Sequence, residues 1–101
     1  MILRSWRAVA TPEGAGTYRA HFETAVLAEL AGVPGHLGAV LLDRPGRGGL
    51  RELQVLTLWE SLEAIERFAG ADADRAVVQP DARAALESYD DHVEHHTVTR
   101  P

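Results

Sequence analysis

The chain has 101 residues, of which 46% are hydrophobic and 25% charged, and its formal net charge is -5. This length corresponds to one domain with one modest core, spanning residues 1–101. The absence of cysteine excludes disulfides, iron–sulfur clusters and thiolate zinc sites. A net negative surface without a basic cluster repels phosphate, so we expect no nucleic acid partner.

Apolar stretches in the sequence are short. A secretory signal needs roughly 7–15 consecutive apolar residues and a membrane helix about 20, and neither kind of run occurs. We therefore expect a soluble, cytoplasmic protein that does not bind membranes.

The first two predicted elements are a strand and a helix. Alternating residues predict a strand over Ile2–Ala10. Thr11 is typical of a helix N-cap and Pro12 of a first helical position. An apolar stripe follows at helical spacing, formed by Tyr18, Phe22, Val26 and Leu30. Gly32 ends the helix, and two glycines weaken its first turn, so we expect firm helix only from Thr17.

Two further strands follow, joined by a glycine-rich turn. They are predicted over His36–Asp43 and Leu50–Trp59. One face of the third strand carries Leu53, Val55, Thr57 and Trp59. Its other face ends in Leu56 and Leu58, so this end of the strand is apolar on both sides. Helices can cover only one side, and the other side predicts a partner subunit.

The remaining elements complete a known motif. Ser61 caps a second helix that Gly70 ends, with a buried stripe of Leu62, Ile65, Phe68 and Ala69. A short helical piece is predicted over residues 71–78, and another from Asp81 as its cap to residue 86. Residues 90–99 are rich in β-branched side chains and predict a last strand.

The predicted order of elements is β-α-β-β-α-β, which is the ferredoxin-like motif. It gives an α+β fold in which a four-stranded antiparallel sheet carries helices on one face. The bare face predicts a homodimer, most simply across a two-fold axis.

Segment 56–70, LTLWESLEAIERFAG, resembles the third strand and second helix of the antibiotic-biosynthesis monooxygenase-like family. Val93-Glu94-His95 in the last strand is similar to that family as well. The resemblance implies a dimeric α+β barrel with a pocket between the sheet and the helices of each subunit. It also implies two activities, since some members oxidise aromatic polyketides or quinols with O₂ and no cofactor, whereas others bind and degrade haem.

Only some of the functional residues of the family stand at the matching positions of this sequence. Trp59 matches the Trp that ends the third strand of the polyketide-oxidising members, but Val55 and Ile65 replace their Asn and Tyr. Phe68 stands where the haem-degrading members have a Trp, and Val77-Val78 where they have the axial His. Valine cannot ligate iron, so we expect no bound cofactor and keep haem binding as an alternative.

Oxygenation without a cofactor needs a base in a dry pocket, and histidine is the natural base near neutral pH. His95 shares its strand face with Val93 and is the preferred base, while His21 on the first helix is the second choice. Trp59 is expected to shape the pocket beside them. A cyclase or isomerase needs the same pocket and base, and a non-catalytic ligand-binding dimer is a further alternative.

A flat aromatic ligand would find suitable walls in this chain. Tyr18, Phe22, Trp6 and Phe68 are the expected substrate-binding residues, although plain core packing accounts for each of them singly. Arg4 shares a face with Trp6 and could meet a substrate oxygen or form an intersubunit salt bridge. No metal site is expected, because His92 and His96 lie about 13 Å apart on a strand.

Overall fold

The computed structural model describes residues 1–100. Its five strands form one antiparallel sheet, and they are β1 (Ile2–Ala10), β2 (His36–Pro45), β3 (Arg51–Trp59), β4 (Ser88–Tyr89) and β5 (Glu94–Thr97). The order is β2-β3-β1-β4, and β5 also pairs with β1. β4 and β5 occupy different parts of one edge of β1, with Ala8 opposite Tyr89 and Arg4 opposite His95. Together they take the place of the predicted fourth strand.

The helices pack on one face of the sheet, as the α+β prediction requires. They are α1 (Pro12–His21), α2 (Leu27–Ala31), α3 (Leu62–Ala69) and α4 (Pro80–Ala85), with a π-helical turn at Phe22–Val26 and a 3₁₀ turn at Arg47–Gly49. The π-helical turn keeps α1 and α2 in one continuous helical run, since its flanking residues have helical backbone angles.

Side-chain caps determine where α1 and α3 begin. The Thr11 hydroxyl accepts a hydrogen bond from the Gly14 amide at 3.0 Å, and the Ser61 hydroxyl accepts one from the Ala64 amide at 3.2 Å. α1 therefore begins at Pro12, before the predicted position. Gly14 also permits close packing, because a Cβ there would collide with the carbonyl oxygen of Ala85 in α4.

The core lies between the sheet and the helices, and it confirms the predicted apolar faces. On the face of β1 and β3 that meets the helices, the buried side chains are Arg4, Trp6, Ala8, Ala10, Leu53, Val55, Thr57 and Trp59. The stripe of the first helix meets them through Tyr18, Phe22 and Leu30. Leu62, predicted to lie in the stripe of α3, is instead 44% exposed, and Ala64 takes its place in the core.

Other corrections concern the last third of the chain. Residues 71–78 are not helical: Arg75 forms a β-bridge with His92, and the Ala76 amide donates to the Asp91 carbonyl at 2.8 Å. Asp81 is not a cap, because α4 begins one residue earlier at Pro80. The last strand, predicted over residues 90–99, is shorter in the structure, where β5 spans Glu94–Thr97 and residues 90–93 lie between β4 and β5.

The outer face of the sheet carries apolar side chains that no helix of the described chain covers. Val40 and Leu42 on β2 are 51% and 45% exposed. Leu56 on β3 lies directly opposite Val40, and Leu58 lies opposite both Gly38 and Leu3. Within residues 1–100, none of the helices has the length and apolar character needed to cross a membrane.

Candidate active site

A cavity of about 70 Å³ lies between the sheet and the helices. Five of the residues expected from the sequence to serve the site line it, namely Arg4, Trp6, Tyr18, His21 and Phe68. The remaining walls are aliphatic apart from Glu29, Thr57 and Gln79. The cavity therefore combines aromatic rings, one imidazole and one guanidinium group.

Tyr18 links the aromatic walls. Its ring centroid lies 5.9 Å from that of Trp6 and 5.8 Å from that of His21. Burial raises the pKa of Tyr18 to about 12, so its hydroxyl stays protonated at neutral pH and can donate a hydrogen bond. Trp6 is held by its own indole N–H, which donates to the Asp90 carbonyl at 2.8 Å.

Arg4 brings a buried positive charge to the cavity wall, since only 5% of the residue is exposed. Its guanidinium donates to the carbonyl oxygens of Ala73 and Arg75, the latter at 2.8 Å. Burial lowers the pKa of Arg4, and the charge of Asp74 opposes this effect. Among residues 1–100, no carboxylate forms a direct ion pair with Arg4.

His95 contacts Arg4 and does not line the cavity. Its Nε2 lies 3.1 Å from Arg4 Nη1, and its Nδ1 lies 3.2 Å from Asp74 Oδ1. Because Arg4 can only donate, Nε2 accepts a hydrogen bond and Nδ1–H donates one to Asp74. Burial and the charge of Arg4 lower the pKa of His95, so the neutral imidazole is favoured.

Trp59 and Phe22, also expected at the site, lie in the core and not on the cavity wall. Trp59 is fully buried and donates its indole N–H to the Thr57 hydroxyl at 2.8 Å. Its ring centroid lies 5.5 Å from that of Phe68 and 5.1 Å from that of His36. Trp59 therefore supports Phe68, which does line the cavity.

Residues 70–79 form a wall that sequence reasoning missed. Val77, Val78 and Gln79 line the cavity from this segment, which contains neither helix nor strand. The Gln79 side-chain amide donates to a Glu29 carboxylate oxygen at 2.6 Å and ties the wall to α2. Typical ligand pockets measure roughly 300–1,000 Å³. The cavity of about 70 Å³ is therefore smaller than a typical ligand pocket.

The sequence matches the profile of the antibiotic biosynthesis monooxygenase family over residues 1–97. The chain belongs to this family. The search of curated proteins gave no significant match.

Solved structures share the fold of this family member. A candidate antibiotic biosynthesis monooxygenase from Deinococcus radiodurans is 15% identical, with a TM-score of 0.66 over 100% of this chain and 95% of its own. SnoaB, a cofactor-independent oxygenase from Streptomyces nogalater, is 15% identical, with a TM-score of 0.60 over 99% of this chain and 95% of its own. A variant of MhuD with two manganese protoporphyrin IX bound per active site is 25% identical, with a TM-score of 0.61 over 100% and 97% of the two chains.

The cavity offers few groups that could ligate the iron of a haem. Among its lining residues His21 carries the only imidazole, and Val77 and Val78 have no ligating atom. Within residues 1–100, no group of three or more His, Asp or Glu side chains could hold a metal ion.

Proposed function

We propose that the protein is an oxygenase that oxidises a small, electron-rich aromatic molecule with O₂ and without a bound cofactor. The observation that carries the proposal is the cavity beneath the helices, where the imidazole of His21 and the hydroxyl of Tyr18 stand among apolar and aromatic walls. Membership of the antibiotic biosynthesis monooxygenase family supports the reaction class.

The proposed reaction needs a base, a hydrogen-bond donor and a site from which water is excluded. His21 would take a proton from an anthrone methylene group, and the resulting anion would be electron-rich enough to transfer an electron to O₂. The substrate radical and the superoxide then combine to form the carbon–oxygen bond of a peroxide anion. The protonated His21 returns its proton to this anion, which gives the hydroperoxide. Loss of water leaves a quinone carbonyl, so one oxygen atom enters the product and the other leaves as water.

Two further side chains would support this step. Tyr18 would donate a hydrogen bond to the substrate oxygen on which negative charge develops, since its hydroxyl stays protonated. His21 is preferred over His95 as the base because His21 lines the cavity, whereas both ring nitrogens of His95 are engaged by Arg4 and Asp74.

The test is O₂ uptake with anthrone and 1,4-naphthohydroquinone in the presence of a chelator. We expect His21→Gln to lower the rate by roughly 10²–10⁴-fold, the usual contribution of a general base. His92→Gln is the matched control, because His92 is exposed and does not itself line the cavity. Uptake no faster than the uncatalysed rate would refute the proposal.

The same samples separate the alternative functions. Conversion of substrate without O₂ uptake would identify a cyclase or isomerase. A Soret band after addition of haem would identify a haem protein. Binding of an aromatic ligand without any turnover would identify a ligand-binding dimer.

We also infer that a second copy of the chain covers the outer face of the sheet. The inference rests on the exposed apolar side chains of Val40 and Leu42 beside Leu56 and Leu58, because a contiguous apolar patch of this kind marks an interaction surface. Light scattering should give the mass of two chains, and Val40→Arg should give the mass of one. A wild-type protein that runs as one chain at tens of micromolar would contradict the inference.

A further inference from the structure

Arg4 is a buried cation whose direct partners are all neutral. It is 5% exposed, and its guanidinium contacts two carbonyl oxygens and one imidazole nitrogen. Burying a charge without an opposite charge is costly, so buried charges are normally paired. The carboxylate of Asp74 reaches Arg4 only through His95. The positive charge of Arg4 is therefore not balanced by a carboxylate in direct contact with it.

The guanidinium also has N–H groups that its contacts within the protein do not use. It carries five N–H groups, and its contacts with Ala73, Arg75 and His95 use three of them. Two N–H groups remain on a side chain that lines the cavity. A planar guanidinium binds a carboxylate through two parallel hydrogen bonds, which neither a neutral amide nor an alcohol can match.

The contacts behind Arg4 fix its position. Asp74 accepts from His95 Nδ1–H, which leaves Nε2 with a lone pair for Arg4 Nη1–H. The two carbonyl contacts hold the guanidinium from residues 73–75 of the cavity wall. A guanidinium held on several sides loses little freedom when a ligand arrives, so its binding energy is retained.

We propose that the natural substrate is an aromatic carboxylic acid whose carboxylate binds Arg4, with His95 and Asp74 acting as positioning residues. The ring of the substrate lies among the aromatic walls formed by Trp6 and Phe68. The proposal rests on the proposed function in placing the substrate in this cavity, and it adds the chemical class of that substrate.

The test compares benzoate with benzamide, its neutral isostere, by isothermal titration of the purified protein. We expect benzoate to bind at least about tenfold more tightly, as for a hydrogen bond between charged groups. Arg4→Gln should abolish this preference. Arg7→Gln is the matched control, because it removes the same charge from an exposed side chain of the same strand that does not line the cavity, and it should keep the preference. Equal binding of the two probes to wild type, or no binding of either, would overturn the proposal.

Further variants test the positioning role and guard against misfolding. His95→Leu should weaken benzoate binding and leave benzamide binding unchanged, and His95→Gln, which keeps an acceptor for Arg4, should restore most of the affinity. Equal loss for both probes in His95→Leu would overturn the positioning role. If Arg4→Gln does not fold, Arg4→Lys is the substitute variant. It keeps the positive charge but cannot form two parallel hydrogen bonds with a carboxylate, so it should show a reduced preference for benzoate.

Oxygen uptake distinguishes failure of this proposal from failure of the proposed function. A protein that prefers benzoate but consumes no O₂ retains the carboxylate site and is not an oxygenase. A protein that oxidises anthrone but shows no preference for benzoate is an oxygenase for neutral substrates.

Discussion

The pair formed by Trp59 and Thr57 gives a quantitative test of the core beneath the cavity. The Trp59 indole donates to the Thr57 hydroxyl at 2.8 Å, and the two residues are 0% and 7% exposed. Trp59→Phe removes this donor and leaves a void where the larger ring was. Thr57→Val keeps the shape of the side chain but leaves the indole N–H buried without an acceptor.

The expected magnitudes follow from these contacts. Trp59→Phe should lower the free energy of unfolding by about 2–3 kcal/mol, of which about 1 kcal/mol is the lost hydrogen bond and the rest the void. Thr57→Val should lower it by about 1–3 kcal/mol, since a buried donor is left unsatisfied. In the double variant neither group is left without a partner, so the combined loss should fall short of the sum by about 1 kcal/mol.

Urea unfolding followed by circular dichroism measures all four proteins of this cycle. Losses that add to within about 0.3–0.5 kcal/mol would refute the reasoning, because they would show that the two residues do not interact. If Trp59 acts only through the core, Trp59→Phe should also retain most of the activity that His21→Gln removes.

Three further predictions concern the neighbouring elements. The pKa of His95 is lowered in the fold, so the unfolded chain binds more protons below about pH 6.5; stability should fall as the pH drops through and below that value, and His95→Gln should reduce this loss. Gln79→Ala removes the hydrogen bond that ties the cavity wall to α2, so the amides of residues 76–78 should exchange with deuterium faster while global stability changes by less than about 0.5 kcal/mol. Gly14→Ala should destabilise the fold by about 1–3 kcal/mol because of a collision with α4, whereas Gly16→Ala, with open space around it, should stabilise it by about 0.5–1 kcal/mol.

Each of these predictions has a contradicting outcome. Equal slopes of stability against pH for wild type and His95→Gln would contradict the His95 assignment. Unchanged exchange in Gln79→Ala would show that this hydrogen bond does not hold the wall. Similar stability of the two glycine variants would contradict the close packing of α1 on α4.

The sequence predicts the central strands well because each has one buried face. β1 lies at Ile2–Ala10 as predicted, and β3 begins one residue after its predicted start. Side chains alternate between the two faces of a strand, so a shift by one residue would move every buried side chain to the exposed face. The register of these strands is therefore closely determined. The family resemblance of residues 56–70 is likewise confirmed by the match over residues 1–97.

Local sequence could not predict the wall formed by residues 70–79. Its alanines favour helix, but the carbonyl oxygens of Ala73 and Arg75 accept hydrogen bonds from Arg4, which is about seventy positions away in the chain. Residues so distant contribute nothing to a local propensity. The same limit applies to His95, because its contact with Arg4 depends on the pairing of β5 with β1.

The most direct test of the account is where an aromatic ligand binds. Titration of ¹⁵N-labelled protein with 1-naphthoate, followed by amide NMR, locates the site without depending on turnover. We predict the largest shifts at Tyr18, Val78 and the indole N–H of Trp6, around the cavity. Shifts confined to Val40 and Leu56 on the outer face of the sheet would contradict the account.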